Sequence, residues 1–390
     1  MSKWKALSAG IALLGLTATA GHAETGVTDD TIKIGMFAPM TGNASIFGRY
    51  VVGAQAYYKM INDQGGVNGR KIEVVLEDSA CDPGKTVAAT KRLVSQEQVF
   101  AIHGGVCTAD IVAIKSDLER QGVPFMNLGA AGSAVTDPLA SNMFSPLPNT
   151  TVVGDTLVNF AMSRPDTKRV AVISHPDDWG ASQLNPATKL LKEKYNLDFV
   201  TSVFMERGAT DITPQILNLR QADPDIVISF LYPTETAIFV RQAHQYGLDT
   251  PLLGCFGAPY EDTLKRVDNP DATKKLYIFH ALKAPPASPA LKEWADMIHK
   301  YGEADAVIDD YSLNGISGSR VVVEALKQLG DDVTRKGFIE ALNKLQNFDT
   351  EVLAGPVSFS ADDHAGVKTG AMMTTLDGEV VSLSSWPQAK

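Results

Sequence analysis

The sequence predicts an α/β protein of two lobes, and three observations carry that expectation. Short β-rich runs alternate with longer helical ones, which implies parallel sheets covered by helices on both faces. The alternation passes through four strands, breaks, and restarts at Arg169. The chain of 390 residues also exceeds what one core usually organises, since domains run to ~100–200 residues.

Thr31–Ala38 reads as the first strand, followed by a helix from Phe47 that stops at Gly65-Gly66. Lys71–Asp78 is the second strand. Asp82 then caps a helix whose first position is Pro83, the placement proline prefers. Val99–Gly104 is the third strand, followed by a helix from Thr108 to Gly122, and Val123–Asn127 is the fourth. In the second half Arg169–Ser174, Phe199–Met205, Asp225–Leu231, Pro251–Gly254 and Leu276–Ala281 read as strands. Helices near 181–195, 213–222 and 234–246 lie between them. A Pro-rich stretch from Ala284 to Pro289 breaks the rhythm, and helices near 289–301, 310–329 and 334–345 follow. Val321, Val322, Ala325, Leu326 and Leu329 mark one apolar face of the longest of these. Short β segments at Val357–Phe359 and Ala371–Leu376 end the chain.

Apolar residues make up 44% and charged residues 21%, the balance of a folded chain. The 35 basic residues against 45 acidic ones give a net charge of −10. That argues against nucleic-acid binding and against attachment to anionic lipid. Lys3 and Lys5, then the apolar run Ala6–Leu16, then Gly21-His22-Ala23 compose a secretory signal with cleavage after Ala23. The alternative, a membrane anchor, needs ~20 apolar residues. Export to an oxidising compartment makes Cys81 and Cys107 disulfide candidates, each following a strand. Cys255 is then the odd thiol, and burial is the usual fate of such a residue.

Enzymatic signatures fail. Gly84-Lys85-Thr86 ends like a phosphate loop, but Ser79 stands where its first glycine belongs. No dinucleotide fingerprint follows a strand, no zinc-type histidine or cysteine spacing occurs, and no Gly-x-Ser-x-Gly elbow is present. No catalysis, cofactor or metal is expected. What remains is a set of small, polar and aromatic residues at strand C-termini, where open α/β sheets bind ligands. These are residues 41–48, 104–108, 128–133, 175–180, 231–233 and 254–257.

The order of these segments, with the signal, resembles the type I periplasmic substrate-binding proteins of the branched-chain amino acid (Leu/Ile/Val) ABC-uptake family. The resemblance is carried by Cys81-Asp82-Pro83 with Cys107, by Ile61-Asn62 through Gly65-Gly66-Val67-Asn68-Gly69-Arg70, and by Phe239-Val240-Arg241-Gln242-Ala243 through Gly247-Leu248. It implies two Rossmann-like lobes joined by three hinge crossovers, with lobe one at 31–150 plus 282–354 and lobe two at 151–281 plus 355–390. It also implies a Cys81–Cys107 disulfide, a periplasmic monomer, and delivery of a small-molecule ligand to the membrane permease of an ABC importer.

The resemblance further places a ligand carboxylate at Thr108, the expected N-cap, beside Cys107 and the loop Ala130–Gly132. The physics is consistent, because a helix N-terminus offers unpaired N–H groups and a favourable dipole. Capping alone is threonine's alternative use there. Amino acid binders of the family hold the ammonium with a hydroxyl, here matching Gly132 with Ser133 one step away, and with an acid, here matching Phe256. Phe47, Trp179 and Tyr232 match cleft-lining positions, although each alone is better explained as a core residue. The expected ligand is therefore a small organic carboxylate, an aromatic or phenylpropanoid acid before a branched-chain amino acid. A ligand-sensing domain is the rival from another class.

Overall fold

The computed structural model describes residues 24–387; the expected secretory signal and its cleavage site lie outside the described residues. The first half lays down β1 (Thr31–Ala38), α1 (Arg49–Asp63), β2 (Lys71–Asp78), α2 (Pro83–Ser95), β3 (Ala101–Gly104), α3 (Thr108–Gln121), β4 (Phe125–Asn127) and β5 (Met143–Phe144). These strands form one parallel sheet in the order β2-β1-β3-β4-β5. The chain continues through α4 (Thr150–Ser163), β6 (Val170–Ser174), α5 (Asp178–Tyr195), β7 (Ser202–Phe204), α6 (Thr213–Gln221), β8 (Ile226–Phe230), α7 (Pro233–Gln245) and β9 (Leu252–Gly254). Then come α8 (Tyr260–Val267), α9 (Pro270–Thr273), β10 (Leu276–His280), α10 (Lys292–Tyr301), α11 (Asp310–Gln328), α12 (Arg335–Asn343), β11 (Ala371–Leu376) and β12 (Glu379–Leu383). The second sheet runs β12-β11-β10-β9-β8-β6-β7. Its last two strands in sequence, β11 and β12, pair antiparallel.

Strand alternation sorts side chains to the two faces of each sheet. In β1, Ile32, Ile34 and Met36 join one core with Tyr57 of α1 and Ile316 of α11, while Phe37 joins Ile111 of α3 in another. In β6, Ala171 and Ile173 face the core with α7, while Val170 and Val172 face the core with α4. The strands read as continuous apolar runs because both faces are covered.

The chain passes between the lobes three times. It leaves the first sheet after β5, returns after β10 to place α10–α12 on the first core, and rejoins the second sheet at β11. Leu282 and Leu353 bridge the second and third passages, and Ala354 N–H donates to Ala281 O at 2.7 Å.

Several expectations need correcting. Val357–Phe359 is not a sheet strand; Val357 makes only an isolated bridge to Phe348. Val357, Phe359 and Val367 are buried with the first core, so the residues after 354 that were expected in lobe two stay with lobe one until β11. Helix α4 was not foreseen, although Asn149 caps it through a bond to Val152 N–H at 3.0 Å and Val153, Leu157, Val158 and Ala161 form its buried face. No described helix is long and apolar enough to cross a membrane.

Candidate functional site

The two lobes touch where the strand C-termini of both sheets converge. Phe47, from the loop after β1, stands 6.4 Å from Tyr232, which follows β8 (ring centroids). Tyr311, in the first turn of α11, contacts Phe47 edge-on at 5.3 Å, and its hydroxyl donates to Gly257 O after β9 at 3.2 Å. A ring and a hydroxyl of one lobe therefore meet a ring and backbone of the other.

On the second lobe the rings are held from below. Trp179 and Tyr232 lie 4.3 Å apart. The Tyr232 backbone N–H donates to His175 Nε2 at 3.2 Å, and His175 Nδ1 meets Met205 O at 2.8 Å. Those partners fix the tautomer, with the proton on Nδ1. Burial holds the imidazole below its ordinary pKa, so it is neutral at pH 7. Arg207 lies with its guanidinium carbon 4.2 Å from the Tyr232 centroid, in cation–π range. Asp177 anchors it at 2.5 Å while also capping α5 through Gly180 N–H at 3.0 Å. A side chain on Gly257 would come within 3.2 Å of the Trp179 ring and 3.4 Å of Tyr232, so glycine keeps that wall thin.

On the first lobe, α3 begins at Thr108, not after it. The N-cap is Cys107, in extended conformation, and no side chain caps the helix. Thr108 was expected to be the cap; its hydroxyl instead accepts from Gly132 N–H at 3.2 Å. The reason is steric and polar together: Gly132 packs so close that a Cβ would stand 2.3 Å from Thr108 Cγ2. That acceptance leaves the hydroxyl proton for another acceptor. The neighbouring expected contacts are partly committed. Ala130 is buried, with its N–H on Asn127 Oδ1 (3.0 Å) and its carbonyl on Asn127 Nδ2 (2.7 Å), so it offers a ligand no free donor. Ser133 N–H donates to Thr150 Oγ1 at 3.2 Å, and the Ser133 side chain is half-buried.

Cys107 is joined to Cys81, with Cα atoms 5.7 Å apart, within the usual span of a disulfide. Cys255 is free and buried, and burial pushes its thiol pKa up to about 11. Phe256 is half-buried, packs edge-on against Phe279 at 5.8 Å, and touches the cores of both lobes. It is a wall between the lobes.

Arg207 and Tyr311 were not singled out from the sequence. Arg207 follows β7 at a strand C-terminus, so the rule that found the other loops would have found it too. Tyr311 starts a helix far along the chain, and no local pattern ties it to Phe47.

This is the constitution of a two-lobed solute-binding protein: two α/β lobes, three crossovers, and strand-end loops of both lobes meeting between them. The chain belongs to the family described as periplasmic binding protein, which it matches over residues 31–379. It is 26% identical over 391 residues to Leu/Ile/Val-binding protein homolog 7 of Brucella abortus (strain 2308), covering 95% of this chain and 96% of that protein. It is 28% identical over 320 residues to the leucine-, isoleucine-, valine-, threonine-, and alanine-binding protein of Pseudomonas aeruginosa, covering 75% and 84%. Among solved structures, the fatty acid ABC transporter substrate-binding protein from Thermomonospora curvata superposes with a TM-score of 0.79 at 25% identity, covering 92% of this chain and 93% of that one. A branched-chain amino acid ABC transporter protein from Thermus thermophilus with bound valine gives 0.80 at 18% identity, covering 91% and 96%, a likeness of fold. By its family the protein is a periplasmic solute-binding protein and not an enzyme.

Thr108→Val tests whether a ligand carboxylate docks at the start of α3. A hydrogen bond to a charged group is worth ~1.5–3 kcal/mol, so affinity for a carboxylate ligand should fall roughly 10- to 150-fold. Thr108→Ser should stay near wild type. Calorimetric titration that finds Thr108→Val and wild type equal would return Thr108 to tethering the Gly132 loop.

Proposed function

We propose that the protein captures a small organic carboxylate between its lobes, an aromatic or phenylpropanoid acid before an aliphatic amino acid, and delivers it as a periplasmic monomer to an ABC permease. Export follows cleavage after Ala23, and the lobes close about the three crossovers. The observation that carries this reading is the ring set Phe47, Trp179, Tyr232 and Tyr311, drawn from both lobes, with centroids 4.3–6.4 Å apart between neighbours. Flat ligands gain from such walls through stacking as well as burial. The uncapped N-terminus of α3 supplies donors and dipole for the carboxylate.

The two acids beside Tyr311 do not suit an ammonium. Asp309 is engaged by Arg49 at 2.6 Å and by the backbone of Tyr311 and Ser312 at 3.0 Å each. Burial, then Asp309, then Glu261 push Asp310 up to about 8, so it is mostly protonated at neutral pH. A desolvated ammonium would find no settled counter-charge there. The second reading, a branched-chain or other aliphatic amino acid, rests on what the Brucella and Pseudomonas relatives are named for.

Calorimetry on the mature protein decides between them. Hydroxycinnamate- or benzoate-like acids should bind more tightly than leucine, isoleucine or valine. Tight leucine binding with no aromatic acid bound would overturn the ligand assignment.

A further inference from the structure

We propose that the Tyr50 hydroxyl is a ligand contact, a fixed donor at the floor of the cleft that hydrogen-bonds the ligand's carboxylate beside the start of α3. Tyr50 lies in the first turn of α1 and is 2% exposed. Among the described residues its hydroxyl has no hydrogen-bond partner, yet its oxygen is not closed off from solvent. A buried tyrosine normally finds a partner for its O–H, so this one is left open for a group the chain does not supply.

The phenol tip reaches a strand-end loop. A Cβ on Gly129, just after β4, would stand 2.9 Å from Tyr50 Cζ and 2.7 Å from Val106 Cγ1. Glycine there lets the phenol tip and the loops after β3 and β4 meet at one point. Val106, at that point, lies two residues before α3 begins. The same loop holds Thr108, whose hydroxyl accepts from Gly132 N–H at 3.2 Å. Two hydroxyls from different helices thus lie against glycines of residues 129–132, in the crevice where open sheets bind ligands.

The donor is rigid. The Tyr50 ring packs on Tyr311 at 5.3 Å, and a Cβ on Gly315 of α11 would stand 2.0 Å from the Tyr50 carbonyl oxygen. A group fixed before binding needs little ordering when the ligand arrives. Burial, then Asp310 and Asp309, hold the phenol far above its ordinary pKa, so it keeps its proton. Asp309 is balanced by Arg49 at 2.6 Å. The identity of the acceptor rests on the carboxylate reading above; the open hydroxyl does not.

The test uses the mature full-length chain and two probes, 4-hydroxycinnamate and leucine, with calorimetry for affinity and thermal unfolding without ligand. Tyr50→Phe should unfold at or above the wild-type temperature, because it loses no internal bond. A hydrogen bond to a charged group sets its loss of affinity at roughly 10- to 150-fold, for whichever probe the wild type binds. Tyr58→Phe should do the reverse, unfolding lower and binding as wild type, because the Tyr58 hydroxyl already meets His103 Nδ1 at 2.9 Å. Wild type that binds leucine alone would overturn the aromatic preference, and the loss on leucine would then decide Tyr50, since leucine brings the same carboxylate. The proposal is overturned by equal affinities of Tyr50→Phe and wild type, or by a ligand-free Tyr50→Phe that unfolds at a lower temperature. Wild type that binds neither probe overturns carboxylate capture and the proposal together.

Discussion

Tyr232→Ala is expected to lower affinity for an aromatic acid by roughly 30- to 1000-fold, the ~2–4 kcal/mol carried by a central ring at an interface. Tyr232 is the ring through which the site is assembled. It stacks with Trp179 at 4.3 Å, faces Phe47 of the other lobe at 6.4 Å, and carries Arg207 at 4.2 Å. Truncation removes the wall and the ring that Trp179 and Arg207 lie against, while Arg207 keeps its ion pair with Asp177. Tyr232→Phe should stay within a few-fold, because stacking needs the ring and burial already keeps the phenol neutral, at a pKa pushed up to about 12. Arg207→Ala should cost less, ~0.5–2 kcal/mol for a cation–π contact. Titration calorimetry gives the affinities, and thermal unfolding checks that the lobes stay intact. Alanine and wild type binding an aromatic acid alike would place the ligand elsewhere.

The legible part of this protein was whatever repeats locally. Strands buried on both faces announce themselves as β1 and β8 do, and helix starts announce themselves through Asp82-Pro83. Loops at strand C-termini led to Phe47, Trp179 and Tyr232 because topology alone puts them on one side of each sheet. Pairings across distance were not legible. Phe47 meets Tyr311 only after the chain has crossed between lobes twice. Thr108 looks like a cap because threonine often is one, but the close approach of Gly132 decides where its hydroxyl turns. The residues after 354 were assigned by the family resemblance, whereas burial of Val357, Phe359 and Val367 in the first core assigns them by packing.

Asp310→Asn is expected to flatten a pH dependence that the wild type carries. Asp310 begins α11 and is 6% exposed. Facing it are Asp309 and Tyr311 on its own helix, Arg49 and Tyr50 of α1, and Glu261 of α8 on the other lobe. Arg49 is already bound to Asp309, so no cation is left to settle Asp310. Its carboxyl is pushed up from 3.8 to about 8, by burial first and then by Asp309 and Glu261. The folded state therefore holds a proton that the unfolded chain releases. This group's contribution to stability falls as pH rises from ~4 to ~8 and stays level above, at up to 1.4 kcal/mol per unit. Relaxation and water entry reduce the full figure, so a gain on the order of 2–4 kcal/mol for the asparagine variant at pH 8.5 is expected, with little difference at pH 4.5. Comparing variant with wild type cancels the opposite slope from carboxylates such as Asp177 and Asp225, which the fold holds below their ordinary values. Because Glu261 belongs to the facing lobe, the same proton favours the lobes together. Ligand affinity in the wild type should therefore weaken from pH 6 to pH 9, and in Asp310→Asn it should not. Denaturant titrations and calorimetry at three pH values measure both, and parallel curves for the two proteins would remove Asp310 from the account of closure.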